Sequence, residues 1–358
     1  MSNIFEELSE SGFWKKEEVL SPEYLPTLLP HRENEIKLLA RNLLPVTRNK
    51  PPQNTFIYGP PGIGKTATVK YVFRDLEEYA GNIVKTVYIN CWDYRTAQAI
   101  LSKIVIELGF PVQRRGWAKD EIVSRLVESL EKTKKALIVC LDEVDQLIFR
   151  SQEVLYDLLR INQYVKNPVG LIFISNDPYV FANLEQRIRS SLSIEEIEFK
   201  PYSLEEMKDI LEERAKLAFF SVEKGVVLLA ANHAVKKGGD VRVGLECLLK
   251  AGRIAERENA NLVKVEHLKK VLKEVKRVKP RILRERLNES EKEILKILEE
   301  EKRNFTSGEL YRIYSDKTKN PVSERSFRNY LNHLASIGLI KIRKAKGIRG
   351  KTRLISKA

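Results

Sequence analysis

Residues 59–66, Gly59-Pro60-Pro61-Gly62-Ile63-Gly64-Lys65-Thr66, lie between the apolar run FIY and the helical pattern TATVKYVFRDLEEY. This spacing, G-x-x-x-x-G-K-[ST] between a strand and a helix, tightly limits what the chain can fold into. Glycines let successive backbone N–H groups turn inward around a phosphate without a Cβ in the way. The helix behind the loop adds the partial positive charge of its N-terminus. Lys65 is placed to reach β and γ phosphates, and the Thr66 hydroxyl to sit on Mg²⁺. Residues 59–67, ending at Ala67, are therefore the expected nucleotide-binding loop for ATP or ADP.

Runs reading FIYG, VKTVYIN, ALIVCLD, VGLIFISND and IEEIEF are expected strands, with helical patterns between most of them. Such alternation predicts an α/β fold with a parallel sheet covered on both faces. ALIVCLD ends in Asp142-Glu143, an apolar strand finishing in two carboxylates. Asp142 is the candidate to hold Mg²⁺, and Glu143 the candidate to orient and polarise an attacking water. The next strand ends in Asn176, whose amide can reach between that water and a γ phosphate. After Pro201 the strands stop, and residues 203–276 read as an all-helical lid. Gly238-Gly239 ends one lid helix and Asp240 caps the next. Arg242, on that helix, can bridge to the γ phosphate and couple the lid angle to nucleotide state.

The chain has 358 residues and no apolar run of membrane-spanning length, so several domains, a cytoplasmic location and no membrane partner are expected. Cys91, Cys140 and Cys247 are far apart in apolar stretches, as buried free thiols would be, and no zinc or redox motif is visible. The net charge of +14 is unevenly placed: from Arg303 onward there are 14 Lys and Arg against 3 Asp and Glu. A polyanion is the natural partner of such a tail.

That tail reads as a compact fold. Ser290–Glu293 and Thr306–Glu309 match the S/T-x-x-E capping box, and Ser323 caps a third helix. The third helix puts Phe327, Leu331, Leu334 and Ile337 on one face and Arg325, Arg328, Asn329 and Asn332 on the other. The polar set suits phosphates and base edges in a major groove. LIKIRKA and KTRLIS then read as two strands around a glycine-containing tip, with seven basic residues and no acidic one from Lys341 to Arg353. Three helices and a basic hairpin predict a winged helix, with Arg343, Lys346, Arg349 and Lys351 tracking phosphates or entering the minor groove of double-stranded DNA. The expected domains are 1–200, a nucleotide-binding core; 201–279, the lid; and 280–358, the winged helix.

The segment Leu29-Pro30-His31-Arg32-Glu33, GPPGIGKT, LDEVD, ISND, RIRSSLSIEEIEFKPYSLEEM and the GGDVR turn together resemble the archaeal origin-recognition initiators. These are AAA+ ATPases with a C-terminal winged helix, related to the largest origin recognition complex subunit and to the cell division control protein. The resemblance implies origin duplex DNA, the replicative helicase and paralogous initiators as partners, and nucleoid association. Asn176 and Arg242 match the family's two sensor positions. His31, Arg32 and, in the KPYSLEE segment, Tyr202 join the nucleotide-binding set, the first two against the base. Family members also touch DNA with a helical insertion after the second strand, which points to Arg114 and Arg115; a plain surface loop anchored by Trp117 fits those residues as well. One departure matters. Relatives often read Ser-Arg-Phe where this chain has Ser190-Ser191-Leu192, so Ser191 stands at the arginine-finger position. A slow, Mg²⁺-dependent ATPase that works as a switch is expected. A branch-migration motor and a transcriptional regulator with structural nucleotide remain as alternatives.

Overall fold

The computed structural model describes residues 14–112, 117–148, 150–272, 287–301, 303–318, 321–336, 340–344 and 353–357. The chain divides into two compact units, residues 1–269 and 270–358. That division falls inside a helix over 265–272, while the expected boundary at 279/280 lies outside the described residues.

In the first unit, strands β1 (Asn54–Tyr58), β2 (Val84–Asn90), β3 (Ala136–Asp142), β4 (Val169–Ser175) and β5 (Ile194–Glu198) form one sheet in the order β2-β3-β4-β1-β5. Every pairing is parallel. The neighbouring interior strands β3 and β4 are buried at every residue, which is why they read as unbroken apolar runs. Helices α1 (Glu33–Leu43), α2 (Lys65–Ala80), α3 (Ala97–Glu107), α4 (Lys119–Thr133), the short α5 (Asp145–Ile148), α6 (Glu153–Arg160) and α7 (Gln186–Ser191) complete this part. Trp117 packs partly buried against its main core cluster. The order places β3, β4 and β1 side by side, so their C-terminal ends deliver Asp142, Ser175 and the phosphate loop to one edge.

The lid follows as α8 (Leu204–Ala218), α9 (Lys224–Lys236), α10 (Val241–Arg257) and α11 over 265–272. Ser203 and Glu206 form a reciprocal capping box at the start of α8. Gly238 and Gly239 have φ of 98° and 78°, the left-handed region needed to stop α9 and turn into α10. All three cysteines are buried and free.

The second unit packs α12 (Glu289–Glu301), α13 (Ser307–Lys317) and α14 (Glu324–Ser336) with a three-stranded sheet, β6 (Phe305–Thr306), β7 (Ile340–Lys344) and β8 (Arg353–Lys357), in the order β6-β8-β7. Phe305, Tyr314, Phe327, Leu334 and Ile355 are fully buried at its centre. The two-residue β6 is too short to show in a sequence pattern. One expected cap moves. The box at α12 is Asn288–Glu291, with Glu291 N–H donating to Asn288 at 2.8 Å and Asn288 N–H to Glu291 at 3.1 Å, rather than Ser290–Glu293. Asparagine caps as well as serine, and the shift sends Glu291 inward at 4% exposure and frees Ser290 to meet the Tyr314 hydroxyl. The Thr306–Glu309 box forms as expected. Thr306→Ala will cost about 1 kcal/mol, seen as faster amide exchange across α13.

Candidate functional site

The phosphate loop is built by backbone that other residues resist. Gly62 has φ of 72°, and a Cβ there would lie 1.8 Å from Oδ1 of Asp240. The loop and lid are thus in direct contact: Val241 N–H donates to the Gly62 carbonyl at 3.0 Å. Ile63 and Lys65 are buried, while Gly64, Thr66 and Ala67 are half-buried.

Lys65 Nζ donates to the carbonyls of Gly59 and Pro60, both at 2.7 Å, and to Asn176 Oδ1 at 2.8 Å. Burial pulls its pKa down to about 8, against the opposing pull of the Glu143 and Asp142 charges. The Thr66 hydroxyl donates to Asp142 Oδ2 at 2.6 Å, and the Glu143 N–H to Asp142 Oδ1 at 2.9 Å. Glu143 has φ of 56°, a costly conformation for a non-glycine residue that turns it out of the strand end. Asn176 Nδ2 donates to both Glu143 carboxylate oxygens, at 3.2 and 3.4 Å. Asn176 therefore joins Lys65 to Glu143 in one network. Burial raises the Glu143 carboxyl above its usual range, helped by the neighbouring charges of Asp142 and Asp145.

Arg242 is held by its own helix cap. Its Nε and Nη2 donate to the two oxygens of Asp240, each at 3.0 Å. Asp240, which sequence reading took only for a cap, thus also leans on the phosphate loop and restrains Arg242; its place two residues before Arg242 was the available clue. Arg32, at 5% exposure, sends Nε and Nη2 to the Ile63 carbonyl at 3.1 and 3.0 Å, and Nη2 also to the Lys200 carbonyl at 2.9 Å. Its guanidinium lies 4.0 Å from the centroid of the Tyr202 ring. His31 pairs with Asp209 of α8 at 3.2 Å. These two residues and Tyr202 thus brace the loop, the chain crossing into the lid, and the lid itself. Two partners of the acidic motif were missed from sequence: half-buried Tyr88, bonded to Asp142, and buried Ser175, bonded to Asp145.

These residues fit a magnesium nucleotide. A cradle that a Cβ would fill, a buried lysine, and a hydroxyl beside a carboxylate at a helix N-terminus are the protein's share of such a site. A bound cation would supply neutralisation of phosphate charge there. Thr66 and Asp142 would hold it.

In the second unit, α14 buries Phe327, Leu331 and Leu334 and exposes Arg325, Arg328, Asn329 and Asn332. Ile337 lies outside the described residues. Arg328 is paired with Glu324 one turn back, at 2.6 Å. Arg343 lies on β7. Lys346, Arg349 and Lys351, like Arg114 and Arg115, lie outside the described residues.

A parallel sheet ordered β2-β3-β4-β1-β5, a helical lid closing on the phosphate loop, and a winged helix beyond define an AAA+ ATPase module joined to a DNA-binding fold. Residues 28–174 match the family model of the AAA ATPase domain, 208–273 that of the Cdc6 AAA+ ATPase-type lid domain, and 292–357 that of the CDC6 C-terminal winged helix domain. The chain belongs to the family of ORC1-type DNA replication proteins. It is 37% identical to ORC1-type DNA replication protein 1 of Archaeoglobus fulgidus, over 98% of this chain and 90% of that one. The same-named protein of Sulfurisphaera tokodaii is 36% identical, over 100% and 94%. The structure of the Aeropyrum pernix ORC1 protein in complex with DNA superposes with a TM-score of 0.82 at 35% identity, covering 97% of this chain and 94% of that one. The Thermotoga maritima RuvB likeness, at 17% identity and a TM-score of 0.51, shows a shared fold alone. The family is that of replication initiators with ATPase chemistry. Among the described residues, no helix is long and apolar enough to cross a membrane.

Proposed function

We propose that this chain binds origin duplex DNA through its winged helix, and that ATP or ADP held between the core (1–200) and lid (201–279) adjusts that grip. The observation that carries the switch is the direct bond from the start of α10 to the phosphate loop, with Asp240 against Gly62 and Arg242 tethered to Asp240. A γ phosphate that draws Arg242 away from Asp240 changes what holds the lid to the loop. Hydrolysis is slow, because Ser191, whose hydroxyl donates to the Arg187 carbonyl, offers a neighbour no guanidinium. Glu143 orients the water, Asn176 sits between water and γ phosphate, and Lys65 steadies the phosphates.

The chain works in the cytoplasm at the nucleoid, as a monomer or in pairs, has paralogous initiators among its partners, and helps recruit the replicative helicase. On DNA, Arg325, Arg328, Asn329 and Asn332 enter the major groove, while Arg343, Lys346, Arg349 and Lys351 follow phosphates; Arg114 and Arg115 add a second contact. Duplex affinity against salt tests this. Arg328→Ala will cost about 1–3 kcal/mol on the preferred site and relax its sequence preference. Arg349→Ala will weaken all duplexes alike and lower the salt slope by about 1. Two variants that bind every duplex as the parent does would sink the assignment of this face.

A further inference from the structure

The geometry points to Tyr88 as the positioning residue of the magnesium carboxylate, an inference that rests on the nucleotide reading above. Tyr88 belongs to none of the motifs. It stands on β2, where parallel register sets Tyr88 beside Cys140 and Asn90 beside Asp142. Residues 88 and 142 therefore emerge on the same face of the sheet, on a diagonal that an aromatic ring can span. The phenol does span it and donates to Asp142 Oδ2 at 2.7 Å.

Asp142 is 4% exposed, and among the described residues its carboxylate takes three hydrogen bonds. Two arrive at the same oxygen: Thr66 Oγ1 at 2.6 Å and Tyr88 at 2.7 Å. The third comes from the Glu143 N–H to the other oxygen at 2.9 Å. These donors differ in what they do next. The Thr66 hydroxyl serves the cation itself, so its proton must turn away from Asp142 when the cation arrives. The Glu143 amide cannot alone fix the rotation of the carboxylate plane. Tyr88 stays and keeps Oδ2 aimed at the loop.

The ring is itself held. Lys70, one helical turn beyond Thr66 on α2, places Nζ 4.6 Å from the Tyr88 ring centroid. The helix that carries Thr66 thus also braces the ring that aims Asp142. Groups that orient a metal ligand typically set metal affinity by about 10- to 100-fold while leaving the remaining contacts alone.

Tyr88→Phe tests the role, because it keeps the ring and removes the hydroxyl. Manganese is the probe: its affinity for the ADP complex is read from the resonance signal of free Mn²⁺, and ADP affinity is measured separately in EDTA. The expected result is an about 10- to 100-fold weaker Mn²⁺ affinity with ADP affinity in EDTA unchanged. Unchanged Mn²⁺ affinity overturns the proposal and leaves Tyr88 a packing residue. A parallel loss of ADP affinity in EDTA also overturns it, since the ring then shapes the loop rather than the carboxylate. Failure of the parent protein to bind ADP at all condemns the nucleotide reading instead, so the two failures are distinct.

Discussion

The Glu143→Gln protein will hydrolyse ATP about 10²- to 10⁴-fold more slowly than the parent while binding ATP and ADP as tightly. The expectation comes from where Glu143 stands. Its backbone occupies the left-handed region at φ 56°, so the side chain leaves the end of β3 toward Asn176 and the phosphate loop. Burial and the charges of Asp142 and Asp145 raise its carboxyl, which brings its basicity closer to that of a group working near neutral pH. Glutamine preserves shape and one of the two acceptors for Asn176 but cannot accept the proton. Single-turnover hydrolysis, with binding measured in parallel, separates the two effects. An unchanged rate would mean that nucleotide hydrolysis is not organised by Glu143, and would favour a regulator in which nucleotide is structural.

Lys65→Ala will weaken nucleotide binding roughly 30- to 5,000-fold, the equivalent of the 2–5 kcal/mol typical of truncating one partner of a buried charge pair. Lys65 is 7% exposed, and its three hydrogen-bond acceptors are neutral oxygens. Burial therefore holds its pKa down to about 8. Phosphate favours the charged ammonium, so binding raises that pKa and takes up a proton wherever the free site is already deprotonated. Affinity for ADP is then flat below pH 8 and falls as pH rises above it, approaching tenfold per pH unit at most. Calorimetry in buffers of different ionisation enthalpy reads the proton uptake, and Lys65→Ala removes it. A parent affinity that is level from pH 7 to pH 10 would contradict the burial of this charge.

That Asp142, Asn176 and the phosphate loop would be brought together was legible because each stands at the end of an apolar run that has little choice but to be a strand. Asp142 ends β3, Asn176 follows β4, and the phosphate loop follows β1. Partners that reach sideways were not legible. Tyr88 meets Asp142 only through the register between β2 and β3, and Arg32 meets Ile63 only once α1 and the loop are packed. The α12 cap slipped by two residues because Asn288 and Ser290 are both good caps, each with a glutamate three residues on; inward packing of Glu291 favoured the first. The helices of the winged unit were legible from their caps and from the apolar spacing of Phe327, Leu331 and Leu334. β6 was hidden by its two-residue length.

The most direct test is selection of genomic fragments by the whole protein with ATP, ADP or no nucleotide, at two salt concentrations. The account predicts enrichment of a few sites near replication origins, with affinity that falls steeply with salt and changes with the nucleotide. Binding without site preference, favouring branched DNA and appearing only for ATP-bound rings, would contradict it and make the chain a motor.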